Sequence, residues 1–281
     1  MNKNIGVVGA GFMGGSIALV SAKAGYKVIV VDQNQEIIED AKKRAMNHLN
    51  KQYRKNRINK GEIGEIFNNI TYTENLQELQ DEAIIIEAVS ENLKVKQNIF
   101  QQLDEYSKKE TILATNTSSL SINEIAQVTK NPDRVIGTHF FSPATVMKLV
   151  EITPGINTDQ KVVNQSYNFI KSIGKNPVLA VDYPGFIVNR ILTPVMNEGM
   201  YLLMEGLDKK DIDEAMKLGA NHPMGPLELA DFCGLDIVLA TMESLYEGFG
   251  DSKYRPCPIL KNMVRAGNLG RKTGKGFYDY N

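Results

Sequence analysis

Six residues, Gly9-Ala10-Gly11-Phe12-Met13-Gly14, constrain this chain more than any other stretch. They follow an apolar run, Ile5-Gly6-Val7-Val8, and lead into a helical segment at 16–24. A second apolar run then ends in an acid, Asp32. Strand, glycine turn, helix, strand and acid together are the context of a dinucleotide-binding fingerprint. Gly9 would permit the tight turn, Gly11 would let backbone approach a pyrophosphate, and Gly14 would allow close helix–strand contact. The amides of Phe12 and Met13 would sit at the helix N-terminus, where the aligned peptide dipoles favour phosphate. Asp32 can accept from both ribose hydroxyls of NAD and would repel a 2′-phosphate. The residues after it, Gln33, Asn34 and Gln35, supply no arginine to offset that repulsion. The expected cofactor is therefore NAD and not NADP.

The rest of the first half repeats the alternation. Strands are expected at 5–9, 27–32, 83–87, 111–115, 134–139 and 147–152, with helical patterns between the early ones, such as Gln97, Ile99, Phe100 and Leu103. Nearly all-apolar strands alternating with helices indicate a parallel sheet covered on both faces. One segment departs from that plan. Residues 35–67 read as a helical hairpin projecting from the sheet, rich in cations, with a turn expected near Gly61 and Gly64. At Val181-Asp182-Tyr183-Pro184-Gly185 the pattern changes and helices dominate, at 189–205, 209–218 and 227–246, the last interrupted by Gly234. The expected fold is thus α/β: a Rossmann-type NAD-binding domain at 1–183, then an all-helical domain at 184–281.

The chain carries 32 Lys and Arg against 33 Asp and Glu, so it has no global field to draw nucleic acid or an anionic membrane. Any anion must be met by a local basic patch. The sequence holds no apolar run of membrane-spanning length and no leader pattern after Met1, which makes the cytoplasm the default address. Its two cysteines, Cys233 and Cys257, fit no metal or redox spacing and read as free thiols in a reducing compartment, and no metal site is expected.

Three histidines limit the choice of proton carrier. His48 lies in the cationic hairpin and is expected to face solvent, and His222 sits in a proline-rich turn. His139 ends an apolar strand, and strand carboxyl ends are where ligands bind in open α/β sheets. If the chain folds back around Thr145, His139 faces Glu151. A carboxylate beside an imidazole fixes its orientation and favours its protonated form. Such a pair suits a dehydrogenase, which must move the alcohol proton as hydride departs, though it equally describes a structural contact. Asn116 and Ser118, after another strand, and Asn189, at the domain junction, could hydrogen-bond a substrate oxygen or serve as helix caps.

These residues fall in ordered blocks: GVVGAGFMGGSIA, IIEAVSENLKVKQNIF, TILATNTSSLSI, VIGTHFFSPATVMKLVEI, PGFIVNRIL, LGANHPMGPLELADF and GRKTGKGFYDY. Over essentially its full length the chain resembles the 3-hydroxyacyl-CoA dehydrogenases, most closely the short bacterial 3-hydroxybutyryl-CoA dehydrogenases. The resemblance implies that His139 is the acid/base and Glu151 its partner. It implies that Ser118 and Asn189 contact the substrate, and that Glu91, Lys96 and Asn116 hold the ribose and nicotinamide portions of NAD. It places coenzyme A on the helical hairpin, at Lys55, Lys51 and His48. It also implies a cofactor contact at Ser142, where the family commonly carries asparagine; the shorter hydroxyl would act directly or through a bridging water. A homodimer built on the helical domain is implied as well. Two rival readings are a dehydrogenase of another hydroxy acid, whose catalytic-lysine motif is not found here, and a non-catalytic NAD-binding relative, which would have no need of a proton relay. Acyl-chain preference is not legible in the residues.

Overall fold

The computed structural model describes residues 3–280; Met1 and Asn2, where the leader pattern was sought, and Asn281 lie outside the described residues. The chain divides into two compact units, Met1–Asp182 and Tyr183–Asn281.

In the first unit the elements run β1 (Asn4–Val8), α1 (Phe12–Lys23), β2 (Lys27–Val31), α2 (Gln35–Arg54), α3 (Lys60–Asn68), β3 (Ile70–Thr73), β4 (Ile84–Glu87), α4 (Leu93–Tyr106), β5 (Ile112–Thr115), α5 (Ile122–Ala126), β6 (Val135–Phe140), β7 (Leu149–Pro154), α6 (Gln160–Ser172) and β8 (Asn176–Leu179). The eight strands form one sheet in the order β3-β2-β1-β4-β5-β6-β7-β8. All neighbours are parallel except β6 and β7. The strand order reverses at β1, so the crevice beyond the carboxyl ends of β1 and β4 is the topological switch point where such sheets bind ligands. Ile5, Val7, Val28, Val30, Ile84, Ile86 and Ile136 are buried, as expected of strands covered on both faces.

Two strands, β3 and β8, were not expected from the sequence. Both lie at the sheet's ends, and each is only four residues long. β3 mixes threonine and tyrosine with its one isoleucine, and β8 contains Pro177, which an edge tolerates because one side of it needs no ladder hydrogen bond.

The hairpin's turn also lies elsewhere than expected. It falls between Arg54 and Lys60, with Asn56 at φ 53°, while Gly61 and Gly64 are inside α3. Asn59 and Glu62 form a capping box that starts the helix ahead of both glycines, and its gain offsets their cost of about 1 kcal/mol each. Asn34 caps α2 by accepting from the amides of Glu36 and Ile37. From there Ile38, Ala41, Ala45 and Leu49 form a buried stripe that packs into the core.

The second unit is helical: α7 (Val188–Met204), α8 (Lys209–Gly219), α9 (Pro226–Cys233), α10 (Leu235–Phe249) and α11 (Pro258–Arg265). Its core joins Met196, Met200, Leu227, Leu235, Met242 and Leu260. The span expected as one interrupted helix is two, because Gly234 at φ 98° ends α9 and starts α10. Asp231 and Asp213 tie down the C-terminal segment, accepting from the amides of Phe277 and Tyr278 and from the Tyr278 hydroxyl.

Candidate active site

The glycine turn leaves β1 through Gly9, whose φ of +99° favours glycine. A Cβ on Gly14 would lie 1.8 Å from the Gly9 carbonyl oxygen, so only glycine lets α1 lie this close to the turn. A Cβ on Gly11 would meet nothing within 4 Å, because this residue faces open space. Phe12 and Met13 form the first turn of α1, where N–H groups have no partner within the helix. Asp32 is anchored on both oxygens, Oδ2 accepting from the Ala10 amide at 2.8 Å and Oδ1 from the Asn34 amide at 3.0 Å. The Ala10 carbonyl in turn accepts from the Arg44 guanidinium at 2.9 Å, which joins α2 to the turn. Beside Asp32 opens a cleft of about 400 Å³, lined also by Gly9, Leu76, Val89 and Ile99, with Glu74 on one side and Lys94 on α4. A turn closed to any side chain at Gly14, open at Gly11 and flanked by a fixed carboxylate fits NAD. Residues 9–14 would hold its pyrophosphate and Asp32 its adenosine ribose.

Along the same sheet edge, the ends of β4 and β5 carry a charged cluster. Glu87, the last residue of β4, is fully buried. It accepts from Lys96 Nζ at 2.8 Å, from Thr115 Oγ1 at 2.7 Å and from the Val89 amide at 2.7 Å. Lys96 also pairs with Glu91 at 3.4 Å. Glu91 accepts from Thr117 Oγ1 at 2.5 Å and from the Ser118 amide at 2.8 Å. Burial alone would raise the Glu91 pKa, but the Lys96 charge and these hydrogen bonds outweigh it and hold the carboxyl below the ordinary glutamate range. Lys96 is 0% exposed and lies between the two glutamates. The sequence reading passed over Glu87, although an acid ending an all-isoleucine strand was a signal that could have found it.

Asn116, after β5, accepts the Phe140 amide on its Oδ1 at 2.9 Å and so links the ends of β5 and β6. On β6, His139 stands opposite Glu151 of β7 in the antiparallel register. Its Nδ1 lies 2.7 Å from Glu151 Oε2, with His139 7% and Glu151 0% exposed. The Phe141 ring packs on the imidazole at 4.4 Å between centroids. With Nδ1 turned to the carboxylate, Nε2 is the nitrogen on the far side of the ring. Ser142 is exposed, one residue beyond Phe141. Asn189 belongs to the second unit, in the first turn of α7.

Two groups stand out among the cations of the hairpin. Lys42 and Lys43 pair with Glu39 and Asp40 on the solvated face. Arg44, His48, Lys51 and Lys55 instead line a cleft of about 480 Å³, together with Arg57 and with Phe12 and Ser16 of α1. Pro143, Thr145 and Val146, from the loop after His139, complete its wall. His48 was expected in solvent but is half-buried, because α2 turns this face toward α1. Burial first, then the charges of Lys23 and Lys51, lower its pKa and favour the neutral ring.

A sequence model of the 3-hydroxyacyl-CoA dehydrogenase NAD binding domain matches residues 4–183, and one of that family's C-terminal domain matches residues 185–280. The chain belongs to the 3-hydroxyacyl-CoA dehydrogenase family. A 3-hydroxybutyryl-CoA dehydrogenase of Clostridioides difficile is 48% identical over 99% of this chain and 99% of its own length. The human mitochondrial hydroxyacyl-coenzyme A dehydrogenase is 41% identical over 99% of this chain and 91% of its own. Among solved structures, the (S)-3-hydroxybutyryl-CoA dehydrogenase of Ralstonia eutropha superimposes with a TM-score of 0.97 at 41% identity, covering 100% of both chains.

As a member of this dehydrogenase family the chain is an oxidoreductase, and its cofactor is NAD, in keeping with the cradle built from residues 9–14 and Asp32. Among the described residues no helix is long and apolar enough to cross a membrane.

Proposed function

We propose that the enzyme reversibly oxidises (3S)-3-hydroxyacyl-CoA, with 3-hydroxybutyryl-CoA foremost, to 3-oxoacyl-CoA, NADH and a proton. The observation that carries this reading is the buried His139–Glu151 pair, on the same sheet as the NAD cradle and three strands along from β1. Bound NAD supplies the hydride acceptor for C3 of the substrate. His139 Nε2 takes the hydroxyl proton in that direction and returns it in the other. Glu151 holds the ring in orientation through Nδ1 and stabilises the charge it gains. Ser118 and Asn189 orient the substrate oxygen or thioester, Glu91 and Asn116 position the nicotinamide ribose with Lys96 behind them, and Ser142 reaches the same end of the cofactor. Lys55, Lys51 and His48 receive coenzyme A in the cationic cleft, where Arg57 adds a further charge. The domain at 184–281 serves the substrate through Asn189 and forms a homodimer. Exposed Leu218, Ile191, Ile237 and Phe232 support that role, and light scattering of a purely monomeric species at micromolar concentration would exclude it. Two unpaired cysteines suit the reducing cytoplasm.

The test is to mix the protein with acetoacetyl-CoA and either NADH or NADPH and follow loss of reduced-nicotinamide absorbance. Fast oxidation of NADH with little use of NADPH is expected. His139→Gln should lower turnover at least about 10²-fold while NADH still binds. A variant with near-normal turnover would remove His139 from the mechanism, and an inactive wild type that binds NADH would leave a cofactor-binding protein without this chemistry.

A further inference from the structure

A buried lysine outside the chemistry described above holds one wall of the cationic cleft. Lys175 lies between α6 and β8 and is 8% exposed. No carboxylate pairs with it among the described residues. Its Nζ donates instead to two main-chain carbonyls, those of Ala144 and Met147, the latter at 2.8 Å. Both belong to the loop between His139 and Glu151. That loop is a tight turn in which the Pro143 carbonyl accepts from the amides of Val146 at 2.9 Å and Met147 at 3.0 Å. A buried ammonium without a counter-ion is costly, and burial, with the nearby Lys148 charge, lowers its pKa from the ordinary lysine value. An uncharged apolar side chain would fill the same space at lower cost, but it could not bridge two carbonyls from one point. The residues between those carbonyls, Thr145 and Val146, and Pro143 just before them face the cleft.

We propose that Lys175 is a positioning residue for the coenzyme A end of the substrate: by clamping Ala144 and Met147 it fixes residues 143–147 as the cleft wall. The inference rests on the cleft receiving coenzyme A, as proposed above. Lys175 touches neither His139 nor Glu151 through these bonds, so its effect belongs in substrate affinity and not in proton transfer.

The test compares acetoacetyl-CoA with acetoacetyl-N-acetylcysteamine, a thioester that lacks the nucleotide, in wild type and Lys175→Met. For Lys175→Met the KM for acetoacetyl-CoA should rise about tenfold with kcat within about twofold, and kcat/KM for the short thioester should not change. Lys175→Arg, which keeps a cation with several donors, should recover part of the loss. If Lys175→Met does not fold, Lys175→Gln is measured the same way, with a rise of about threefold expected. An unchanged KM for acetoacetyl-CoA in a folded variant overturns the inference, and so does an equal loss on both thioesters, which marks a merely structural role. A wild type that does not prefer the coenzyme A thioester over the short one overturns the cleft assignment first, and with it the role of Lys175.

Discussion

Glu82, just ahead of β4, shows how one side chain ties stability to pH. It is 5% exposed, its Oε2 has no hydrogen-bond partner, and burial followed by the Asp81 charge pushes its pKa up to about 7. The folded-state value exceeds the unfolded one, so the folded chain holds this proton more tightly. That advantage is complete below about pH 4.5 and is lost as pH rises through about 7. Glu82→Gln should therefore change stability little at pH 5 and add roughly 1–3 kcal/mol at pH 8.5, read from urea midpoints. A gain of equal size at both values would refute the titration. At this scale the sequence was legible where one residue type has one use. Gly9, Gly14 and Asp32 were legible because backbone freedom, close approach and a strand-end carboxylate leave few substitutes. The burial of Lys96 was not, since a charge that sits inside only because Glu87 and Glu91 converge on it carries no local signature.

Asp182 makes the corresponding case for an element. The sequence marks its neighbourhood only as proline–glycine punctuation, yet its carboxylate organises the start of α5. It accepts from Ser121 Oγ at 2.9 Å, from the Ile122 and Asn123 amides at 2.9 Å each, and from Asn123 Nδ2 at 2.6 Å. A five-residue helix cannot sustain itself, so a cap supplied from 60 residues away is what holds it. Asp182→Ala should cost about 1–2 kcal/mol of first-unit stability, measured by denaturant unfolding, and a loss under 0.5 kcal/mol would show α5 held by packing and its own Ser121 cap. Elements with a continuous apolar run or a clean helical stripe could be read in advance. Short edge strands and the break at Gly234 could not, because there a neighbouring strand or a single backbone angle outweighs local pattern.

For the whole molecule, two separate cores mean that a ligand of the first unit stabilises that unit by mass action. NADH at 100 times its dissociation constant should add about 2.7 kcal/mol to first-unit stability. Hydrogen exchange should place the gained protection at β1, α1 and β4, and protection spread evenly over both cores would contradict a cofactor site confined to the first unit. The division into an α/β half and a helical half was visible as a change of periodicity, whereas the second unit's tail, fixed by Asp213 and Asp231, is a long-range arrangement that no window of sequence contains.

The antiparallel turn between β6 and β7 has an entropic consequence. His139 and Glu151 are 12 positions apart and meet across a single hairpin, so joining them closes one short loop. The cofactor cradle joins Gly9 to Asp32 across the β1–α1–β2 crossover, which closes a longer loop. The acid–base pair thus costs the chain a short closure and the cradle a longer one.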